Sequence, residues 1–122
     1  MSRVIHFEIP ADNTDRAIAF YTAAFGWKFQ KWEGPMPYWL VTTGPNEEPG
    51  INGGMMNRAH PGQGTANTIS VKSVDNAVAA ATKAGGSVAL PKMAIPGVGW
   101  LAYCVDTEGN TFGVMQADTS AK

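Results

Sequence analysis

Two residues near the N-terminus, His6 and Glu8, have side chains that can exchange protons or bind a metal. They lie two positions apart in a segment whose residues alternate between polar and apolar, a pattern typical of a β-strand with one face in a core. The apolar residues expected on the core face are Ile5, Phe7 and Ile9. A carboxylate favours a protonated imidazole nearby and is expected to raise the pKa of His6. The pair is therefore a candidate catalytic acid and base, and the alternative is a structural hydrogen-bonding role for His6.

The pattern that positions this pair recurs once along the chain. Asp15 and Gly26 are 11 residues apart, as are Asp75 and Gly86, and in both cases a capping residue precedes and a glycine follows a helical pattern. The predicted helices are about 13–25 and 74–84, and the predicted strands are 4–9, 27–29, 38–42, 51–56, 68–71, 88–90, 100–105 and 111–116. Each half thus predicts a strand, a helix and three strands, an α+β fold of two similar modules that close on each other. The expected bounds are 3–57 for the first module, 58–66 for a linker, 67–117 for the second module and 118–122 for a frayed tail, within one domain spanning 1–122.

Composition limits the classes of partner. The formal net charge of −1 gives no reason to expect nucleic acid, and no run of about 18 apolar residues predicts a membrane span. The single cysteine, Cys104, excludes an internal disulfide and is interpreted as a buried strand residue. A signal peptide pattern is absent from the first residues, so a cytoplasmic protein is expected.

Three segments together resemble a known group of proteins. They are His-Phe-Glu-Ile at 6–9, the helix segment 16–21 leading to Phe25 and Gly26, and Asp-Thr-Glu-Gly-Asn-Thr-Phe at 106–112. These residues resemble the vicinal oxygen chelate superfamily, which contains glyoxalase I, bleomycin-resistance proteins and extradiol dioxygenases, and are most similar to a glyoxalase-like subgroup. The resemblance covers about residues 3–117. It implies two βαβββ modules that pair to form a curved mixed sheet with a central cup and helices on the outside.

The same resemblance implies a divalent metal in the cup of the enzymes, with four ligand positions. In this chain those positions are His6, Gly53 or Gly54, Thr68 and Gly113. A catalytic metal needs about three protein ligands, and glycine supplies no side-chain ligand. We therefore expect no tight divalent metal and assign no metal ligands, with weak binding by His6 and Glu8 as the alternative. The second histidine of the chain, His60, falls in the predicted linker, and no sequence motif indicates another cofactor.

Further residues are predicted to contact a small molecule. Thr68 and Ser70 are the polar positions of the second module's first strand, and Trp39 and Trp100 occupy matching strands of the two halves. Either tryptophan could line a pocket for an aromatic ligand, although core packing is the alternative for each.

Three functions follow as hypotheses. The first is a bleomycin-resistance-like protein that binds a small molecule in the cup without the full metal site. The second is an enzyme of the lyase, isomerase or dioxygenase type that uses His6 and Glu8 as weak metal ligands or as an acid/base pair. The third is a non-catalytic interaction module. The expected partner is a small-molecule ligand, with no nucleic acid and no membrane, and a homodimer is an option.

Overall fold

The computed structural model describes residues 2–122, which form two helices and eight strands in two compact units. The elements are β1 (Arg3–Ala11), α1 (Thr14–Phe25), β2 (Lys28–Lys31), β3 (Tyr38–Thr42), β4 (Gly53–Asn57), β5 (Ala66–Ser70), α2 (Val74–Lys83), β6 (Ser87–Ile95), β7 (Gly99–Val105) and β8 (Thr111–Ala117). We call residues 6–65 the N-terminal unit, and residues 66–122 together with residues 2–5 the C-terminal unit. The α+β class and the repeated order of strand, helix and three strands are confirmed.

The N-terminal unit has the strand order β2-β3-β4-β1, in which β1 runs parallel to β4 and β3 runs antiparallel to β4. Helix α1 begins where the side chain of Asn13 accepts a hydrogen bond from the Arg16 amide at 3.0 Å, and it ends at Gly26, whose φ of 72° favours glycine. One face of the sheet packs against this helix. The buried cluster there is Ala11, Val41 and Met55, with Phe7, Ile9, Ala17, Ile18, Trp27, Phe29 and Trp39 packed around it.

The C-terminal unit repeats this arrangement with the strand order β5-β8-β7-β6. The Ser73 hydroxyl accepts a hydrogen bond from the Asn76 amide at 3.1 Å and caps the start of α2. The buried cluster under this helix is Val71, Val74, Ala102 and Val114, with Ile69, Ala77, Val78, Trp100 and Phe112 packed around it.

Ile5 departs from the prediction for the core face of β1. Its side chain is 49% exposed, whereas Phe7 and Ile9 pack against the buried cluster under α1. The prediction that Ile5 faces the core is therefore wrong. Residues 2–5 belong to the C-terminal unit, so Ile5 lies outside the part of β1 that this cluster covers.

The C-terminal tail and strand β6 also differ from the predictions. Ala121 is 3% exposed, and its carbonyl accepts a hydrogen bond from the Gly97 amide at 3.0 Å, so the tail is held rather than frayed. Strand β6 continues through Pro91 to Ile95, beyond the predicted end at residue 90, because two irregularities in its register with β7 accommodate the proline. None of the helices in residues 2–122 combines the length and apolar character needed to cross a membrane.

Candidate functional site

A hydrogen-bonded trio of side chains lies on the face of the N-terminal unit that points away from α1. His6 and Glu8 come from β1, and Tyr38 is the first residue of β3. The hydroxyl of Tyr38 donates to Oε2 of Glu8 at 2.9 Å, and Nε2 of His6 lies 2.8 Å from the same hydroxyl oxygen. The rings of His6 and Tyr38 are nearly parallel, with centroids 6.5 Å apart and 12° between their planes. Tyr38 thus joins the two residues that the sequence singled out.

The trio depends on Gly54, because β4 lies between β3 and β1. Glu8 is the register partner of Gly54, and the phenol ring of Tyr38 crosses directly over this glycine. A Cβ atom at position 54 would lie 1.8 Å from Oη of Tyr38, far inside van der Waals contact. The absence of a side chain at position 54 therefore allows Tyr38 to reach β1.

Burial controls the protonation of His6. The pKa of His6 lies below its ordinary value of 6.5, chiefly because burial disfavours the charged ring, while the charge of Glu8 acts in the opposite direction with a smaller effect. Glu8 thus acts on this pKa in the expected direction, but the larger effect of burial makes the net shift downward. His6 is consequently a neutral imidazole at pH 7, able to accept a proton or a hydrogen bond.

Apolar side chains accompany the trio on its face. Leu40 and Met56 alternate along their strands with the core residues of the opposite face, and Leu40 is 41% exposed. The indole of Trp32 meets the Tyr38 ring edge-on, with centroids 6.1 Å apart. Polar groups that are few in number and flanked by apolar and aromatic side chains are typical of small-molecule sites.

The two predicted tryptophans pack against the cores. Trp39 lies against the buried cluster of the N-terminal unit, on the opposite face of β3 from Tyr38. Trp100 lies against the cluster of the C-terminal unit, where its indole N–H donates to Asp118 at 2.9 Å and the Lys92 ammonium sits 4.8 Å from its ring centroid. The contacts of both tryptophans are those of core packing, the alternative to ligand binding. Within its unit, Trp39 lies on the opposite face of the sheet from the trio.

Thr68 and Ser70 lie on β5 in the C-terminal unit. Thr68 is 5% exposed and is the register partner of Gly113, and its hydroxyl oxygen would lie 3.3 Å from a Cβ atom at position 113. Ser70 is half-buried, and its carbonyl accepts a hydrogen bond from the Ser2 amide at 2.7 Å. Their roles in ligand binding stay predictions.

The residues at the implied metal positions do not fit a metal. In the N-terminal unit, His6 shares its Nε2 with Tyr38, and the phenol fills the space that a ligand side chain on Gly54 would need. In the C-terminal unit, Thr68 and Gly113 supply a single hydroxyl. Within residues 2–122, no three His, Cys, Asp or Glu side chains come close enough together to hold a metal ion. We therefore assign no step of chemistry to a metal.

The sequence interpretation missed Tyr38 and the positive role of Gly54. From the sequence alone, the glycines at 53–54 indicate only missing ligand side chains, and Tyr38 is only the first residue of a predicted strand. One signal was available, since Tyr38 alternates with Trp39 and Val41 and therefore had to face away from them.

A separate pocket of about 110 Å³ lies in the loop between β3 and β4. The side-chain oxygen of Asn52 accepts a hydrogen bond from the Thr43 amide at 2.9 Å, and the Thr43 hydroxyl donates to the Ile51 carbonyl at 2.7 Å. None of the predicted site residues lines this pocket.

Comparisons with known proteins agree with the architecture. Residues 3–44 match the family model described as bleomycin resistance protein-like N-terminal. No curated protein matches the sequence significantly. Among solved structures, a hypothetical protein from Bacillus halodurans C-125 is similar with a TM-score of 0.72 and 12% identity, over 99% of this chain and 98% of that one.

Two methylmalonyl-CoA epimerases have the same fold. The enzyme from Mycobacterium tuberculosis gives a TM-score of 0.69 at 12% identity, over 94% of this chain and 87% of that one. A variant from Streptomyces coelicolor, in complex with 2-nitronate-propionyl-CoA, gives 0.68 at 14% identity, over 96% and 98%. The repeated βαβββ units and these similarities show that the chain shares the fold of these proteins, and residues 3–44 are similar to the N-terminal part of bleomycin resistance proteins.

Proposed function

We propose that this chain binds a small organic molecule on the face of the N-terminal unit that carries His6, Glu8 and Tyr38, without a bound metal. The pair of hydrogen bonds made by the Tyr38 hydroxyl carries this proposal. These bonds engage the two side chains of the trio that are the best candidate metal ligands, and they hold both in a defined geometry. A site built in this way recognises hydrogen-bonding groups of an organic ligand rather than an ion.

The surroundings of the trio support the same function. Leu40 presents exposed apolar surface on this face, next to the aromatic pair of Tyr38 and Trp32. Apolar surface supplies most of the binding free energy of a small ligand, while a few polar groups fix its orientation. The match of residues 3–44 to a bleomycin-resistance-like model favours binding over catalysis.

A thermal-shift screen of small molecules in the presence of EDTA tests the proposal, with metal-free bleomycin among the compounds. We expect a compound that stabilises the protein without added metal and binds at least about tenfold more weakly to His6→Ala. His60→Ala is the matched control, since His60 is an exposed histidine in the segment between the modules. A ligand that needs stoichiometric metal, or that binds equally well to His6→Ala, contradicts the proposal.

A second candidate is metal-free proton transfer at a carbon next to a carbonyl group. The neutral state of His6 favours it, because a neutral imidazole beside a carboxylate can act as a base at pH 7. In such a reaction the C–H bond breaks, its electron pair forms an enolate, and the proton goes to His6 before it returns to carbon. Two structures with the same fold are methylmalonyl-CoA epimerases, which makes methylmalonyl-CoA the first substrate to try.

Proton NMR in deuterated water distinguishes the two functions. If the second candidate is correct, the hydrogen of methylmalonyl-CoA between its two carbonyl groups exchanges for deuterium with wild-type protein and with His60→Ala, but not with His6→Ala. Exchange at the rate of the buffer alone rejects this substrate and leaves binding as the function.

A further inference from the structure

The hydrogen bonds of the trio run in one direction. An ionised Glu8 can only accept, so the Tyr38 hydroxyl donates its single proton to Oε2 of Glu8. The oxygen of that hydroxyl must then accept from His6, which requires the proton of the neutral imidazole to be on Nε2. The other ring nitrogen, Nδ1, is left with a lone pair. Among residues 2–122, the hydrogen bonds of His6 are confined to Nε2.

We propose that the ligand of this face presents an N–H or O–H donor, neutral or cationic, to Nδ1 of His6, and that a carboxylate or phosphate is rejected at this position. The inference rests on the proposed binding function and names the chemical class of its ligand. An anionic acceptor placed against Nδ1 would meet a lone pair instead of a proton. To bind an anion, Nδ1 would have to carry the imidazole proton, and the two hydrogen bonds of the trio would have to reverse their direction. This reversal would require Glu8 to be protonated.

The charge of the face favours the same class of ligand. Glu8 contributes a negative charge, and His6 is neutral, so the trio carries a net charge of −1. The lysines of the strands in this unit, Lys28 and Lys31, are on β2, which is separated from β1 by β3 and β4. At about 4.8 Å per strand, β2 lies roughly 14 Å from β1, beyond the Debye length at physiological salt. These two lysines therefore provide no nearby cation for an anion bound against His6 on β1.

The tautomer can be measured before any ligand is found. The chain has two histidines, so a long-range ¹⁵N–¹H NMR spectrum of wild type compared with His60→Gln assigns both imidazoles. We expect His6 to give the pattern of a neutral ring protonated at Nε2. In Glu8→Gln, an amide can donate as well as accept, so the pattern should move towards a mixture of tautomers. A ring protonated at Nδ1 in the wild type overturns the inference.

Two neutral aromatic probes of nearly equal shape then test the ligand class. Indole carries an N–H donor and 1-methylindole carries none. We expect indole to shift the Nδ1 resonance of His6 at concentrations where 1-methylindole and benzoate do not. If benzoate or 1-methylindole shifts this resonance as strongly as indole, the inference is wrong but the binding face stands. If none of the three probes affects His6 while other ligands bind the protein elsewhere, the proposed function fails together with the inference.

Discussion

The hydroxyl of Tyr38 lies in the space that a side chain on Gly54 would occupy, with only 1.8 Å between Oη and the position of a Cβ atom at residue 54. This relationship explains how a tyrosine on β3 reaches a carboxylate on β1 across the strand between them. It also means that the hydrogen bonds of Tyr38 depend on a glycine at position 54.

Gly54→Ala should therefore expel the Tyr38 ring from its position. We expect the free energy of unfolding to fall by about 1–3 kcal/mol, since the added methyl group overpacks a site with no free space. Urea denaturation measures the change. Gly64→Ala is the control, because a Cβ atom there meets nothing within 4 Å. In the double variant with Tyr38→Ala, the effect of the alanine at position 54 should largely disappear, and an additive result would contradict the steric explanation.

Tyr38→Phe removes the hydroxyl but keeps the ring. Glu8 is only 7% exposed and would lose a hydrogen-bond donor, so we expect a loss of about 1–3 kcal/mol in unfolding free energy. Tyr21→Phe is the matched control, since Tyr21 is half-buried and contacts its neighbours through its ring. Equal stability of the two variants in chemical denaturation would show that the bonds of Tyr38 contribute nothing to the fold.

The stability of the protein should depend on pH through His6. Burial lowers the pKa of His6 in the folded chain, and the charge of Glu8 opposes this shift with a smaller effect. The hydroxyl of Tyr38 contacts the ring at Nε2. Between the folded pKa and the unfolded value of about 6.5, the unfolded chain binds a proton that the folded chain does not. The free energy of unfolding should therefore be highest above pH 6.5 and should fall as the pH drops through this window.

Denaturation of wild type and His6→Gln from about pH 5 to about pH 8 isolates this contribution. The difference between the two should shrink or change sign towards acid and be constant above the window. If the wild type instead gains stability relative to His6→Gln on acidification, then Glu8 has a larger effect than burial on the pKa of His6.

Arg58 should hold the segment after β4 in place. Its guanidinium forms an ion pair with Asp12 at 3.0 Å and also donates to the carbonyls of Pro10 and Gln63. Arg58→Lys keeps the charge but cannot make these bonds together, because an ammonium lacks the planar fork. We expect faster amide hydrogen exchange at Ala59, whose amide donates to the Gln63 side chain at 2.6 Å. Arg16→Lys, exposed on α1, should leave this exchange unchanged, and an equal effect of both variants would exclude a specific role for Arg58.

Local patterns determined the elements of this protein. The helices begin within about one residue of the predicted starts at 13 and 74, because the side chains of Asn13 and Ser73 that accept the first free amides are adjacent in sequence. Alternation also placed His6 and Glu8 on one face, since the geometry of a strand requires it. The equal spacing of the two halves predicted the repeat for the same reason, as each spacing depends on elements that form locally.

The partner of His6 and Glu8 was decided by the tertiary structure alone. Tyr38 is 30 residues from Glu8, and the pairing of β4 with both β1 and β3 brings their side chains together. The register of those pairs depends on the packing of whole strands against α1, which no short segment encodes. The direction of the pKa shift of His6 has the same origin, because the sequence places a carboxylate two residues away, while only the folded chain determines how much water the ring loses.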